Sequence, residues 1–237
     1  MNSKIGIKLF ADTANINELK DLYKLGLLDG ITTNPSLMRQ AGISEYEKSA
    51  RQILEAIPDL PISFEVFADD FEGMIQQGKQ IAKWHSNVVV KVPIINTKGE
   101  VTRPVIEALS QAGIPLNITA VFGTEFIAKA IDAINPDVPS IISVFAGRIA
   151  DIGIAPLPII DAHAKLIKDS GCNSELLWAS TREFYNIFEA RDHGCTIVTA
   201  PGSVLKKVSN LGQTLEEITF SAVQTFYNDA QASGFSL

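Results

Sequence analysis

One lysine stands where amine chemistry could occur. Lys91 is the single charge in the apolar run Asn87-Val-Val-Val-Lys-Val-Pro-Ile-Ile95. Burial in such a run strips an ammonium of its hydration and disfavours the charged form. A neutral amine can attack a ketone carbonyl and form an iminium, which accepts the electron pair of an adjacent carbon–carbon bond as that bond breaks. The plainer alternative is an edge-strand lysine whose ammonium reaches back to water. An iminium reaction also needs a group to take up a substrate hydroxyl proton, and carboxylates serve. Asp12 and Glu65 are the candidates. Asp12, followed by Thr-Ala-Asn, could equally cap a helix. Glu65, in Ser-Phe-Glu-Val-Phe, must be paired or hydrogen-bonded if its strand is buried. An ion pair with Lys91 would satisfy it and would also suit the chemistry.

Further polar residues lie within, end or follow apolar runs: Asn34, Asn117, Thr119, Ser143, Arg148, Ser180 and Arg182. Asn117 and Thr119 share strand parity and so point the same way; hydrogen-bonding filler is the alternative. Arginines on neighbouring loops, near helix N-termini, could clamp a phosphate because the guanidinium fork pairs bidentately with its oxygens. Surface salt bridges are the plainer reading of Arg148 and Arg182. The histidines, His85, His163 and His193, share no spacing, so neither a metal site nor a His-based triad is expected. No GxGxxG or GxxxxGK[ST] pattern marks a dinucleotide or ATP site.

These residues need a frame. Eight β-rich runs can be read: Ile7–Ala11, Gly30–Thr33, Ile62–Phe67, Val88–Val92, Leu116–Val121, Ser140–Phe145, Glu175–Ala179 and Thr196–Thr199. Amphipathic stretches separate them, such as Ile16, Leu19, Tyr23 and Val101, Val105, Leu109. Strands divided by helix-length segments pair in parallel, and continuous apolar runs fit burial on both faces. Eight such units in one domain predict a closed (β/α)8 TIM barrel spanning 1–237, whose chemistry gathers at the C-terminal strand ends. An extra C-terminal helix is expected at about 213–231, with Leu215, Ile218, Ala222 and Phe226 on one face; it could cap the barrel or reach a neighbouring subunit.

At 237 residues the chain can bury one large core. A net charge of −7 with pI about 5.0 argues against nucleic-acid or anionic-membrane surfaces. Cys172 and Cys195 make no disulfide framework or metal spacing. No signal peptide and no run of roughly 20 apolar residues is read, so a cytoplasmic protein is expected.

Several segments together resemble the transaldolases: Leu9-Phe-Ala-Asp-Thr-Ala-Asn15, Asp29-Gly-Ile-Thr-Thr-Asn-Pro-Ser-Leu37, Val89-Val-Lys-Val-Pro93, Asn117-Ile-Thr119, Val144-Phe-Ala-Gly-Arg-Ile149 with Asp151-Ile-Gly153, and Ala179-Ser-Thr-Arg182. Their order and spacing cover nearly the whole chain, and its length is similar to the small transaldolase and fructose-6-phosphate aldolase branch. The resemblance implies that Lys91 forms a Schiff base with a ketose phosphate and that Asp12 handles the C4 hydroxyl proton. It implies that Glu65 and Thr119 hold a proton-relaying water, and that Asn34, Asn117 and Ser143 bind the dihydroxyacetone unit. Arg148, Ser180 and Arg182 would hold the sugar phosphate. No cofactor is implied, and a homo-oligomer built on pentamers, as a pentamer or decamer, is. In the aldolase branch the Glu65 position is typically glutamine and the Phe145 position a tyrosine. Glu65 with Phe145 therefore resembles the transaldolases, which transfer the three-carbon unit, rather than the aldolases, which release it. Three features depart from the small branch: Thr199-Ala-Pro-Gly202 replaces Thr-Val-Pro-Pro, the segment Ile94-Ile-Asn-Thr-Lys-Gly-Glu100 is polar and long, and Trp178 is similar to larger transaldolases. A silent sugar-phosphate-binding barrel would have no need of Lys91, Asp12 and Glu65 together.

Overall fold

The computed structural model describes residues 5–236. Eight parallel strands close into a barrel in chain order: β1 (Lys8–Asp12), β2 (Gly30–Thr32), β3 (Ile62–Glu65), β4 (Val88–Pro93), β5 (Leu116–Val121), β6 (Ser140–Val144), β7 (Ser174–Trp178) and β8 (Ile197–Ala200). β8 returns to β1, with Leu9 opposite Val198, so no strand is an edge. The β4 run is buried except at Pro93, and all of β6 is buried, as strands covered on both faces require. This is the (β/α)8 TIM barrel expected from the alternating pattern.

Helices follow the strands and bury one stripe each. Ile16–Lys24 buries Leu19 and Leu22, and its first turn is capped by Asn15, whose side chain accepts from the Asn17 and Glu18 N–H groups. Asp12 is therefore not spent as the cap. The helix after β4 runs Arg103–Gln111 and buries Val105 and Leu109. Val101, expected on that helix, instead bridges Ile95 in a short antiparallel turn.

Strand ends shift from expectation where side chains compete for the backbone. β3 stops at Glu65 rather than Phe67, because the Phe67 and Ala68 N–H groups both donate to Gln77 Oε1, each at 2.8 Å. Inside the barrel, Phe10, Ile141, Leu177, Ala179 and Ile197 form an apolar plug, with Phe145 packed against it. Gly30 makes room for this plug: a Cβ there would lie 2.4 Å from the Phe10 ring.

The barrel forms one compact unit ending at Leu205, and Lys206 onward forms a second. The second holds a 3-10 turn (Lys206–Asn210) and a helix running Leu215–Ser233, close to the expected 213–231. A capping box closes the helix start, with Thr214 accepting from the Glu217 N–H and the Glu217 carboxylate accepting in return. No residue of this helix is buried. Among the described residues, no helix is long and apolar enough to cross a membrane.

Candidate active site

Lys91 lies in mid-strand with only 5% of its surface exposed. Parallel pairing puts Glu65 and Lys91 directly opposite each other on β3 and β4. The Lys91 Nζ sits 3.3 Å from Glu65 Oε2 and donates to the Thr33 carbonyl at 3.0 Å. An edge-strand lysine reaching out to water is excluded, because β4 has a neighbour on both sides. A buried ion pair of this kind is weak evidence for stability, but removing one partner leaves the other charged in a dry site.

Around this amine the C-terminal strand ends open into a cavity of about 570 Å³. Asp12, Asn34, Glu65, Thr119, Ser143, Phe145, Arg148, Ser180 and Arg182 all line it with Lys91. The one sequence candidate that does not is Asn117, which is fully buried. Asn117 lies one layer deeper, donating from Nδ2 to Ser63 Oγ at 3.0 Å and accepting from the Ser143 hydroxyl at 2.7 Å. It anchors Ser143 from behind.

Asp12 is held by a hydroxyl row. Thr32 Oγ1 donates to Asp12 Oδ1 at 2.7 Å and lies 2.6 Å from Thr199 Oγ1. Since Thr32 has one proton and gives it to Asp12, Thr199 must donate to Thr32. Burial raises the Asp12 carboxyl above its ordinary value of 3.8, with the Lys91 charge and the Thr32 hydrogen bond opposing that rise. The result is a carboxyl for which the protonated form is more accessible than for a surface aspartate.

On β5 the register slips between Ile118 and Val121, and Ala120 takes a positive φ of 59°. An alanine in the left-handed region costs of order 1–3 kcal/mol and persists where packing over-determines it. The bulge follows Thr119, whose buried hydroxyl has no hydrogen-bond partner among the described residues and sits on the cavity wall. A ligand hydroxyl or a water could satisfy it. Asn34 caps the helix Pro35–Gln40 by accepting from the Leu37 N–H at 2.9 Å, which leaves its two amide protons for a ligand.

The other rim is cationic. The Arg148 guanidinium lies over the Phe145 ring, 5.1 Å from its centroid, and Arg182 pairs with Asp151. Both partners of the second pair are about half exposed, so the pair is weak and exchangeable for a ligand phosphate. The two loops meet closely. A Cβ on Gly147 would fall 1.7 Å from the Ser180 carbonyl oxygen, so only glycine fits there. Ser180 itself has φ 63°, and Thr181 Oγ1 donates to the Thr199 carbonyl at 2.7 Å. This fixes the serine and arginine against β8.

Sequence reasoning missed Thr32, Thr199, the Thr33 carbonyl and the rim residues Ser36 and Gln40. Strand parity could have found the first two: Thr32 falls two residues after Gly30, and Thr199 two after Ile197, positions that face the barrel interior.

Comparison with known proteins shows the family of the chain. A family model described as transaldolase/fructose-6-phosphate aldolase matches residues 9–237. A protein of Clostridium acetobutylicum named "Probable transaldolase" is 36% identical over 204 residues, covering 85% of this chain and 89% of its own. A protein of Desulfatibacillum aliphaticivorans with the same name is 33% identical, covering 95% of this chain and all of its own. A solved structure from Burkholderia cenocepacia, assigned as a phosphonomutase, superposes with a TM-score of 0.58 at 11% identity, covering 86% of this chain and 91% of that one. At that identity it shares the barrel fold alone.

Proposed function

The chain belongs to the transaldolase/fructose-6-phosphate aldolase family, and on that premise we propose that it is a transaldolase, moving a dihydroxyacetone unit from a ketose phosphate to an aldose phosphate. The donor would be sedoheptulose 7-phosphate or fructose 6-phosphate. The observation that carries this reading is Lys91 buried between the Glu65 carboxylate and the Thr33 carbonyl, in one cavity with Asp12 and two arginines.

In this mechanism the Lys91 amine attacks the ketose C2 carbonyl, and loss of water gives an iminium. Glu65 and Thr119 hold the water that carries protons to and from the leaving oxygen. The C4 hydroxyl gives its proton to Asp12, the C3–C4 bond breaks, and its electron pair moves into the iminium to form an enamine. The aldose phosphate departs. An incoming aldehyde takes up the enamine carbon, Asp12 returns its proton to the new hydroxyl, and water releases Lys91. Asn34 and Ser143 bind hydroxyls of the three-carbon unit, with Asn117 steadying Ser143. Arg148, Ser180 and Arg182 take the phosphate. The lysine adduct itself is the electron sink.

Transfer rather than release is supported by Phe145, which lines the cavity and has no hydroxyl to protonate the enamine. The exposed apolar side chains of the terminal helix support a homo-oligomer, a pentamer or decamer. To test the reaction, enzyme and fructose 6-phosphate are treated with borohydride and digested for mass spectrometry. A three-carbon adduct on Lys91 is expected, absent in Lys91→Ala. Free dihydroxyacetone should accumulate only in trace without an added aldose phosphate. Steady release would assign the aldolase reaction instead, and an unlabelled Lys91 would overturn the mechanism.

A further inference from the structure

We propose that Tyr46 is a positioning residue for the Schiff-base lysine: its hydroxyl replaces a missing rung of the β2–β3 ladder and so leaves the Thr33 carbonyl free to hold Lys91. The inference rests on the transaldolase reading above but concerns a residue outside the cavity's catalytic set.

The β2–β3 ladder shows the substitution. Ile31 N–H donates to the Pro61 carbonyl at 2.9 Å, and Thr33 N–H to the Ser63 carbonyl at 3.1 Å. The next rung of an evenly spaced parallel ladder would run from the Glu65 N–H to the Thr33 carbonyl. That rung is not made. The Glu65 N–H donates instead to the Tyr46 hydroxyl at 3.1 Å, and the same hydroxyl donates to the Glu65 carbonyl at 3.0 Å. One phenol thus satisfies both backbone groups of the residue that carries the Lys91 counter-charge. The Thr33 carbonyl, released from the ladder, accepts from Lys91 Nζ at 3.0 Å.

Buried backbone groups are almost always paired, so these bonds are coupled. Without the phenol, the Glu65 N–H would be orphaned or would turn to the Thr33 carbonyl in competition with Lys91. The ring is itself fixed. It packs edge-on against Phe67 at 5.4 Å and tilted against Trp84 at 5.9 Å, and Trp84 leans on Phe64 of β3. Burial and the neighbouring Glu65 carboxylate raise the Tyr46 phenol far above its ordinary value of 10.0, so it stays protonated and can serve as donor and acceptor together. Tyr46 stands at the start of the helix Tyr46–Ala56, 19 positions before Glu65.

The test is Tyr46→Phe, which keeps the ring contacts and deletes only the hydroxyl. Borohydride trapping counts competent lysines in each preparation, so turnover is expressed per trapped site. The expected result is kcat lowered about tenfold, the scale of one lost hydrogen bond to a charged group, with KM for the ketose phosphate within about twofold. A merely structural role would lower the number of trapped sites and leave kcat per site unchanged, and that result would overturn the proposal. Should the variant fail to fold, amide hydrogen exchange of Glu65 in the unmodified protein decides: protection is expected, and exchange at a loop rate would overturn it. If Lys91 of the unmodified protein does not trap at all, the reaction assignment fails rather than the role of Tyr46.

Discussion

At the level of single residues, Asp12 combines a functional position with a thermodynamic cost. Its carboxyl is raised chiefly by burial, and neither the Lys91 charge nor the Thr32 hydroxyl cancels that effect. A carboxyl whose folded value exceeds its unfolded one favours the fold while protonated, and that contribution is lost as pH rises through the folded value. At neutral pH, Asp12 therefore works against stability. Replacing it with asparagine keeps the shape and can still accept from Thr32 while removing the buried charge. Asp12→Asn should melt up to a few degrees higher than the unmodified protein at pH 7, with the gap closing near pH 4, and turnover should be lost. Scanning calorimetry at both pH values checks this; a lower melting temperature at pH 7 would show that Asp12 is paid back by Lys91. The legible and illegible parts of the site divide at this scale too. Lys91 and Glu65 were readable because a charge inside an apolar strand has few structural explanations. Tyr46 was not, since a tyrosine at a helix start carries no local signal and its partner is 19 positions away. The Thr33 carbonyl was unreadable for a deeper reason: backbone groups become ligands only through geometry.

Elements show the same split between pattern and competition. Strand number and order followed from apolar runs separated by helix-length segments, because those patterns answer to burial on two faces. Ends did not, because single side chains decide them, as Gln77 does at Phe67 and Ala68. The helix pair Thr124–Ala133 and Leu157–Ser170 offers a test of what burial does to a polar group between elements. His163 is fully buried on the second helix, and neither ring nitrogen has a hydrogen bond of good geometry among the described residues. Burial lowers its titration from 6.5, which the nearby Gly123 carbonyl and Glu125 carboxylate offset only in part. A histidine depressed in the folded state contributes stability present above 6.5 and lost as pH falls through the folded value. The protein should therefore lose stability as pH falls below about 6.5. His163→Leu, of similar size and needing no partner, should flatten that loss and match or exceed the unmodified protein at pH 7. Urea midpoints at pH 7 and pH 5 measure both. An unchanged acid slope would place the proton uptake elsewhere.

For the whole molecule, the terminal helix sets the constraint. Leu215 is 84% exposed, and Phe220, Phe226 and Tyr227 are exposed as well, on a helix with no buried residue. At 100° per residue, Leu215, Ile218, Phe220, Val223, Phe226 and Tyr227 spread over more than half of the helix circumference. A single flat contact covers a narrower stripe, so such a helix needs apolar cover on two sides. In proteins most helical stability comes from packing of an apolar face rather than from the helix alone. Apolar surface on this scale marks an interaction site in a soluble protein. Self-association supplies identical cover to every copy under closed symmetry, which agrees with the proposed pentamer or decamer. The charge carried by each 25.7 kDa chain is −7, so added negative charge on this helix should resist association further. The double variant Ile218→Glu with Phe226→Glu is predicted to run near 25.7 kDa by light scattering, and the unmodified protein at the five or ten times that mass which the proposal requires. Lys91, Glu65 and Asp12 all lie in the barrel unit ending at Leu205. Borohydride trapping at Lys91 should therefore survive in the dissociated variant. An unmodified protein that already runs as a single chain would remove the need for cover and sink the oligomer.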